Sequence, residues 1–238
     1  MKALIFAAGL GERMRPLTDH TPKPLLQVGG KRLIVWHLKK LASMGITDVV
    51  INTSWLADQF PSTLGDGADF GLRLHYSYEG PSPLETGGGM WNAMPLLGNA
   101  PFLAVNGDIW CDADFSQLPR EPEGLTHLVM VDNPAHHLKG DFALDESGRL
   151  HSTGDMRLTF SGIGVYRPQL LDDWRDVIGD TPGADQTAPR FQLAPLLRAA
   201  MAKGMATGTH HQGLWTDVGT PQRLAELDAR LIATQPAD

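Results

Sequence analysis

The first residues of this chain that could do chemistry lie in "FAAGLGERMRPLT", residues 6–18, directly after a short apolar run. Glycine tolerates left-handed backbone angles and lets a ligand approach closely, so a turn built on Gly9 and Gly11 can aim backbone N–H groups at an oxyanion. Arg13 adds positive charge beside the turn, and Lys23 follows between two prolines that stiffen its segment. These cations beside exposed amides predict a site for a triphosphate.

The turn matches neither of the two most familiar phosphate-binding motifs. A dinucleotide fingerprint reads G-x-G-x-x-G, and Met14 stands where its third glycine belongs. The sequence also lacks the G-x-x-x-x-G-K-[ST] pattern of a P-loop. The turn therefore represents another kind of phosphate site, and its assignment depends on the motifs that accompany it.

Two aspartates in distant parts of the chain could hold a metal ion. Asp108 ends "VNGD" and Asp217 lies in "WTDVGTP", each after an apolar, strand-like segment. Ligands of open α/β sheets bind beyond the carboxyl ends of the strands. Mg²⁺ prefers oxygen ligands, so two carboxylates brought together there would suit it. Either aspartate alone is more simply explained as a turn former or a helix cap.

The composition restricts the class of protein. A chain of 238 residues with 42% hydrophobic residues predicts one globular domain with a substantial core. The formal net charge of −7 argues against nucleic acid as a partner. A single cysteine, Cys111, excludes an internal disulfide framework and fits a reducing compartment. No segment approaches the roughly 20 apolar residues that span a bilayer, so we expect a cytoplasmic protein without a membrane partner.

The hydrophobic pattern predicts strands that alternate with helices, which is typical of an α/β fold with a Rossmann-like, doubly wound, mostly parallel sheet. After about residue 138, shorter strands predict a small antiparallel elaboration. Residues 173–190 are polar and turn-rich, and we expect a surface loop there. The predicted strands cover 3–7, 48–53, 72–77, 101–108 and 127–132, and the predicted helices cover 33–44, 56–64, 88–97, 193–203 and 221–233, with Gly45, Gly65 and Gly98 as helix ends.

Taken together and in order, the motifs resemble those of the sugar-1-phosphate nucleotidyltransferases over nearly the whole chain. They are "AAGLGERMRPLT", "PKPLL", "PLETGGG", "VNGD" and "WTDVGTP". The resemblance implies the nucleotidyltransferase fold, related to the GT-A fold, as a single catalytic domain over 1–238. It places nucleotide binding in about 1–135 and sugar-phosphate binding in about 136–220, without the C-terminal β-helix or acyltransferase domain of longer relatives.

The reaction that the resemblance implies is attack by a sugar phosphate oxygen on the α-phosphorus of UTP, with release of pyrophosphate. Asp108 and Asp217 are then the Mg²⁺ ligands. Arg13 neutralises the β- and γ-phosphates, and Lys23 bridges the α-phosphate and the sugar phosphate. The implied partners are UTP and a sugar 1-phosphate, with N-acetylmuramic acid 1-phosphate favoured, in peptidoglycan recycling of a Gram-negative bacterium. We expect a monomer.

The same resemblance implies a nucleotide-binding set. The backbone of Ala8, Gly9 and Gly11 serves the base and the phosphates, whereas Gly87 and Gly88 leave room for a flat ring. Glu79 has two open interpretations, either a carboxylate that accepts hydrogen bonds from the base or a solvated charge at a strand end. Glu85, which stands where guanylyl-transferring relatives have glycine, favours uridine.

The implied sugar-binding set is Asn106, Ser161 and Gly162. The muramyl sugar carries a lactyl carboxylate, so its site should include a cation, and Lys139 and Arg157 are the candidates. Two alternatives stay open. One is another sugar and base, such as mannose-1-phosphate guanylyltransferase or glucose-1-phosphate thymidylyltransferase chemistry. The other is a catalytically silent sensor of sugar nucleotides.

The paired histidines at 136–137 and 210–211 are poor candidates for zinc ligands. Adjacent residues do not share one face of a helix or strand, and no third ligand accompanies them in a zinc-like spacing.

Overall fold

The computed structural model of the chain describes residues 1–234. The strands are β1 Lys2–Phe6, β2 Gln27–Val28, β3 Lys31–Arg32, β4 Asp48–Thr53, β5 Arg73–Tyr78, β6 Phe102–Asn106, β7 Ile109–Cys111, β8 Thr126–Val131, β9 Phe142–Leu144, β10 Leu150–His151, β11 Arg157–Tyr166, β12 Ala206–His211 and β13 Trp215–Asp217. The α-helices are α1 Leu33–Ser43, α2 Gln59–Leu64, α3 Glu85–Leu97, α4 Trp174–Ile178, α5 Ala194–Ala202 and α6 Pro221–Ala233.

The main sheet runs in the order β10-β9-β11-β6-β1-β4-β5, with β8 paired to β11 and β12 paired to β8. Strands β6, β1, β4 and β5 are parallel neighbours. Strands β9, β10 and β11 pair antiparallel, and β11 is antiparallel to both β6 and β8. The predicted mostly parallel mixed sheet with a small antiparallel elaboration is confirmed. The carboxyl ends of the four parallel strands lie at one edge of the sheet.

Helices cover both faces of this sheet because the buried strands alternate their side chains. In β1, Ile5 joins a core with Ile34 and Leu38 of α1, whereas Leu4 joins a second core with Met90 of α3 and residues of α5. A third cluster packs the apolar stripe of α6 against Met14 in the glycine-rich turn. Helix α6 therefore supports the glycine-rich turn through this packing. Within residues 1–234 no helix is both long and apolar enough to cross a membrane.

The predicted helix ends are confirmed, but two helix starts are displaced. Gly45, Gly65 and Gly98 follow α1, α2 and α3 with positive φ angles. Helix α2 begins at Gln59 rather than 56, because Leu56 adopts a φ of 50°. Helix α3 begins three residues before the predicted 88 and includes three consecutive glycines.

The prediction of a surface loop at 173–190 was wrong for the start of that segment. Trp174 begins α4, is 1% exposed and stacks on Phe191 with ring centroids 4.5 Å apart. The polar residues around Trp174 hid this anchor in the sequence pattern. We refer to residues 174–191 as the strap, since the stacked rings of Trp174 and Phe191 fix both of its ends to the α3–α5 side of the core.

We expect Trp174→Ala to lower the free energy of unfolding by about 3–5 kcal/mol, because it deletes a buried aromatic side chain and leaves a cavity. Equilibrium denaturation in urea measures this change. The matched control is Asp176→Ala on the exposed side of the same helix, which should stay within about 0.5 kcal/mol of the unsubstituted protein. Equal effects of the two substitutions would show that the strap is not anchored through Trp174.

Candidate active site

A cavity of about 550 Å³ opens at the carboxyl edge of the parallel strands. This is where ligands bind in open α/β sheets. Its lining consists of Phe6, Ala7, Ala8, Gly9, Leu10, Gly11, Glu12, Arg13, Lys23, Pro24, Asn52, Glu79, Pro83, Glu85, Thr86, Asn106, Asp108 and Arg190. Residues from all four parallel strands or the loops after them contribute, so the fold brings together most of the site residues expected from the sequence.

The glycine-rich turn has the geometry that its residues predict. Gly11 adopts a φ of 67°, and its carbonyl accepts hydrogen bonds from the N–H of Met14 at 2.8 Å and the hydroxyl of Thr18 at 2.7 Å. A side chain at Gly11 would strike Thr18. Gly9 is exposed with open space where a Cβ would stand, and Arg13 is exposed at the cavity. An anion can therefore reach both the backbone and the guanidinium.

Lys23 and Asp108 meet at the cavity. The Lys23 Nζ donates to Asp108 Oδ2 at 2.8 Å, and the lysine side chain is only 11% exposed. Asp108 reaches this position because Gly107 donates its N–H to the Phe6 carbonyl at 2.8 Å, an approach that a Cβ would prevent. The sequence predicted both charged residues but not that they form a pair with each other.

Asp217 lies beside Asp108. Strand β13 pairs with β7 so that Asp217 is opposite Ile109, and the Val218 N–H donates to the Asp108 carbonyl at 2.7 Å. The Asp217 carboxylate accepts from Arg223 Nη1 at 2.5 Å and lies 3.0 Å from His136 Nε2. Arg223 lies outside every motif recognised in the sequence, and His136 stands out there only as half of a histidine pair.

One side of the cavity, formed by Asn52 and Glu79, contains a chain of hydrogen bonds. The Ala7 N–H donates to Asn52 Oδ1 at 2.6 Å, Asn52 Nδ2 donates to Glu79 Oε1 at 2.5 Å, and the Leu84 N–H donates to Glu79 Oε2 at 2.7 Å. Glu79 is 6% exposed, which excludes the interpretation of a solvated charge. Burial raises the pKa of this carboxyl above its ordinary value, against the lowering effect of the two hydrogen bonds. Asn52 had no sequence signal, since its role depends on the register of β4.

The reason given for Gly87 and Gly88 requires correction. Both lie behind the cavity wall, where their N–H groups donate to the Phe191 carbonyl at 2.9 and 3.0 Å. A Cβ on Gly87 would meet the Phe191 ring, and one on Gly88 would meet the Pro189 carbonyl. Glycine is needed here for close packing of α3 on the strap.

The strap also reaches the cavity itself. Arg190 Nη2 lies 2.9 Å from Glu85 Oε1, and both side chains line the cavity. Glu85 has a φ of 64°, a left-handed conformation that glycine adopts more easily. Glu85 therefore occupies a backbone conformation that favours glycine, and its side chain forms an ion pair with Arg190 of the strap.

The predicted sugar residues divide into two groups. Asn106 lines the cavity, and Gly162 has a φ of 83° where any Cβ would strike the Asn106 side chain. Ser161 is fully buried and its hydroxyl accepts from the Ile163 N–H at 3.2 Å, so its side chain does not face a ligand. Lys139 is exposed and forms no hydrogen bond or ion pair with the described part of the chain.

The two histidines of the pair at 210–211 contact different aspartates. His210 lies 2.9 Å from Asp132, and His211 lies 2.7 Å from Asp112. Donor atoms of Cys111, Asp112 and His211 lie within 4.8 Å of one another, a grouping that the sequence analysis did not anticipate. The Cys111 thiol is buried, and burial raises its pKa, so it favours the protonated form that does not bind metal.

Comparison with known proteins identifies the family of the chain. The nucleotidyl transferase family profile matches residues 2–133. The chain therefore belongs to the nucleotidyl transferase family, and it is a nucleotidyl-transferring enzyme.

Two curated relatives carry a more specific name. The chain is 48% identical to N-acetylmuramate alpha-1-phosphate uridylyltransferase of Neisseria meningitidis serogroup B, over 96% of this chain and 97% of the relative. It is 33% identical to the protein of the same name from Caulobacter vibrioides, over 96% of each. A Bacillus anthracis structure, proposed to be a glucose-1-phosphate thymidylyltransferase, has a TM-score of 0.84 at 21% identity and covers 100% of this chain and 98% of its own. That likeness confirms the fold.

We expect the free energy of unfolding of Glu79→Gln to increase relative to that of the unsubstituted protein as pH rises. The raised pKa means that the folded state holds the Glu79 proton more tightly than the unfolded chain does, so stability falls as pH rises from the ordinary value of 4.5 through the folded pKa. Glutamine does not ionise and is spared this loss. Urea denaturation at about pH 5 and about pH 8 measures the difference. A difference that stays constant with pH would contradict the raised pKa.

Proposed function

We propose that this enzyme transfers a uridylyl group from UTP to N-acetylmuramate 1-phosphate, giving UDP-N-acetylmuramate and pyrophosphate. The observation that carries the proposal is the cavity in which the glycine-rich turn, Arg13 and the Lys23–Asp108 pair lie together. The relatives at 48% and 33% identity, both named for this reaction and both matched along almost their whole length, support the choice of substrates.

The chemistry requires no nucleophile from the protein. An ionised oxygen of the sugar phosphate attacks the α-phosphorus of UTP, and the bond from that phosphorus to the bridging oxygen breaks, so pyrophosphate leaves with the electron pair. Both reactants are anions, and the protein lowers the barrier by positioning them and offsetting their charge. In this proposal Arg13 neutralises the β- and γ-phosphates, and Lys23 bridges the α-phosphate and the sugar phosphate. Both residues line the cavity, which supports these roles.

The two aspartates fit Mg²⁺ by the chemistry of their donors. Both supply hard carboxylate oxygens, Asp108 from the residue before β7 and Asp217 from the end of β13, which pairs with β7. In each carboxylate, only one oxygen has a side-chain partner within residues 1–234, Oδ2 in Asp108 and Oδ1 in Asp217. The second oxygen of each is left for a metal. We propose that these residues hold the metal, which when bound supplies charge neutralisation to the phosphates. Lys23 and Arg223 hold the two carboxylates in position.

We propose that two parts of the chain bind the two substrates. Residues 1–135 carry the parallel strands and form the nucleotide side, whereas the elaboration after 136 supplies the sugar side through Gly162 and the loop that contains His136. The proposed substrates are phosphorylated intermediates of cell-wall recycling, and we infer that the enzyme acts on them as a monomer in the cytoplasm.

The substrate assignment is tested by pyrophosphate release. UTP, GTP, dTTP and ATP are each combined with the 1-phosphates of N-acetylmuramate, N-acetylglucosamine, glucose and mannose in the presence of Mg²⁺. We expect turnover to be highest with UTP and N-acetylmuramate 1-phosphate and to be lost in Asp108→Ala. Preference for GTP with mannose 1-phosphate, or for dTTP with glucose 1-phosphate, would contradict the substrates. Silence with every pair would favour a sensor of sugar nucleotides.

We expect Lys23→Ala to lower kcat by at least about 100-fold while the Kd of UTP rises less than about 10-fold, because the contact of Lys23 strengthens as charge develops in the transition state. Steady-state kinetics and calorimetric titration with UTP measure the two effects. Lys39→Ala on the exposed face of α1 is the matched control and should change neither. A parallel loss of UTP binding and kcat would show that Lys23 serves ground-state binding.

A further inference from the structure

Arg223 and His136 both contact Asp217 beside the cavity, and the three side chains form a cluster. The proposed mechanism gives Arg223 and His136 no role other than holding Asp217. Arg223 lies in the first turn of α6, where its N–H donates to the capping hydroxyl of Thr220 at 3.3 Å. Its side chain folds back so that Nη1 lies 2.5 Å from Asp217 Oδ1 and 2.7 Å from His136 Nε2. The arginine side chain is only 17% exposed, so its position is fixed by packing as well as by charge.

Arg223 retains unused hydrogen-bonding capacity. Throughout residues 1–234, each side-chain hydrogen bond of Arg223 is made by Nη1, and Nε and Nη2 make none. Guanidinium presents its donors as a rigid fork that matches a carboxylate. The Nη2 arm lies where the Cβ of residue 219 would stand, so Gly219 makes room for this orientation. The geometry leaves a fixed donor edge that is open to a second anionic group.

The cluster lies at the sugar end of the site. Asp217 neighbours Asp108 through the β7–β13 pairing, and His136 belongs to the loop after β8, in the half of the chain that follows the nucleotide-binding part. Arg223 and His136 therefore approach Asp217 from two separate elements, the helix α6 and this loop. The cluster therefore lies next to the position proposed for the metal.

We propose that Arg223, with His136 beside it, binds the carboxylate of the acidic sugar. This rests on the proposed function, since N-acetylmuramate differs from N-acetylglucosamine by a lactyl ether that ends in a carboxylate. The Arg223–Asp217 pair is neutral overall, so what it offers this carboxylate is a set of directed N–H donors. Hydrogen bonds to charged groups are among the stronger ones in proteins.

Arg223 suits this role better than the cations expected from the sequence. Lys139 is exposed and has no partner in the described structure, so binding would have to immobilise its whole side chain. Arg157 is half-buried at the start of β11. Arg223 is already immobilised by Asp217 and Gly219, and the entropy of ordering it is lost on folding rather than on binding.

The test compares two sugars that differ only in the lactyl group. The ratio of kcat/KM for N-acetylmuramate 1-phosphate to that for N-acetylglucosamine 1-phosphate, each with UTP, is measured in the unsubstituted enzyme and in Arg223→Ala and Arg223→Lys. Arg230→Ala, an exposed arginine of the same helix, is the matched control. Arg157→Ala and Lys139→Ala test the other cations. Calorimetric Kd values of the two UDP-sugar products provide a readout that is independent of catalysis.

We expect Arg223→Ala to lower the kcat/KM ratio by about 10- to 100-fold and to lower the ratio of product affinities in the same direction. Arg223→Lys should restore part of the ratio, because it keeps the charge but loses the fork. Arg230→Ala should leave both ratios unchanged. Both sugars depend equally on Asp217, so any general damage to that residue cancels in the ratios.

Two results would overturn the inference. If Arg223→Ala lowers turnover of both sugars equally and leaves the ratios intact, Arg223 serves only to hold Asp217. If Arg157→Ala or Lys139→Ala lowers both ratios and Arg223→Ala does not, another cation binds the carboxylate. An unsubstituted enzyme that does not turn over N-acetylmuramate 1-phosphate with UTP would instead contradict the proposed function, which separates the two failures.

Discussion

The hydrogen bonds of the Asn52 side-chain amide are the interactions on which one side of the cavity depends. Its oxygen accepts from the backbone after β1 and its nitrogen donates to Glu79 after β5, so one residue of β4 ties three strand ends together. Glu79 continues the tie to Leu84 at the start of α3. Each of these groups is buried, and leaving one of them unpaired would cost roughly 1–3 kcal/mol. The cavity therefore has a rigid floor before any ligand arrives.

Three acidic side chains at the cavity or at the proposed metal position have a basic partner. Asp108 pairs with Lys23, Asp217 with Arg223, and Glu85 with Arg190. This pairing explains how a chain with a net charge of −7 can present a site for polyanions. Each of these cations offsets the negative charge of its partner carboxylate.

The sheet and the glycine-rich turn could be predicted well from the sequence because both depend on local signals. Buried strands repeat every two residues, and glycines such as Gly11, Gly45 and Gly98 occupy backbone positions that few other residues adopt. Asn52, Arg223 and the strap anchor Trp174 carry no such signal. Their roles arise from strand register and from packing between distant segments, as with the Phe191 carbonyl that receives the N–H groups of Gly87 and Gly88. Family resemblance identified these glycines but suggested the wrong physical reason for them.

The strap is closed by a pair of stacked rings, Trp174 and Phe191, and this has a consequence for how the enzyme can diversify. A loop whose ends are fixed together pays for extra length only logarithmically, about 0.6 kcal/mol for each doubling. Changes of length or sequence at the exposed residues 185–188 therefore have a small thermodynamic cost, while Arg190, next to the anchored Phe191, keeps its place at the cavity. The fold thus separates an exposed stretch that is free to vary in length from a nearby residue that lines the cavity.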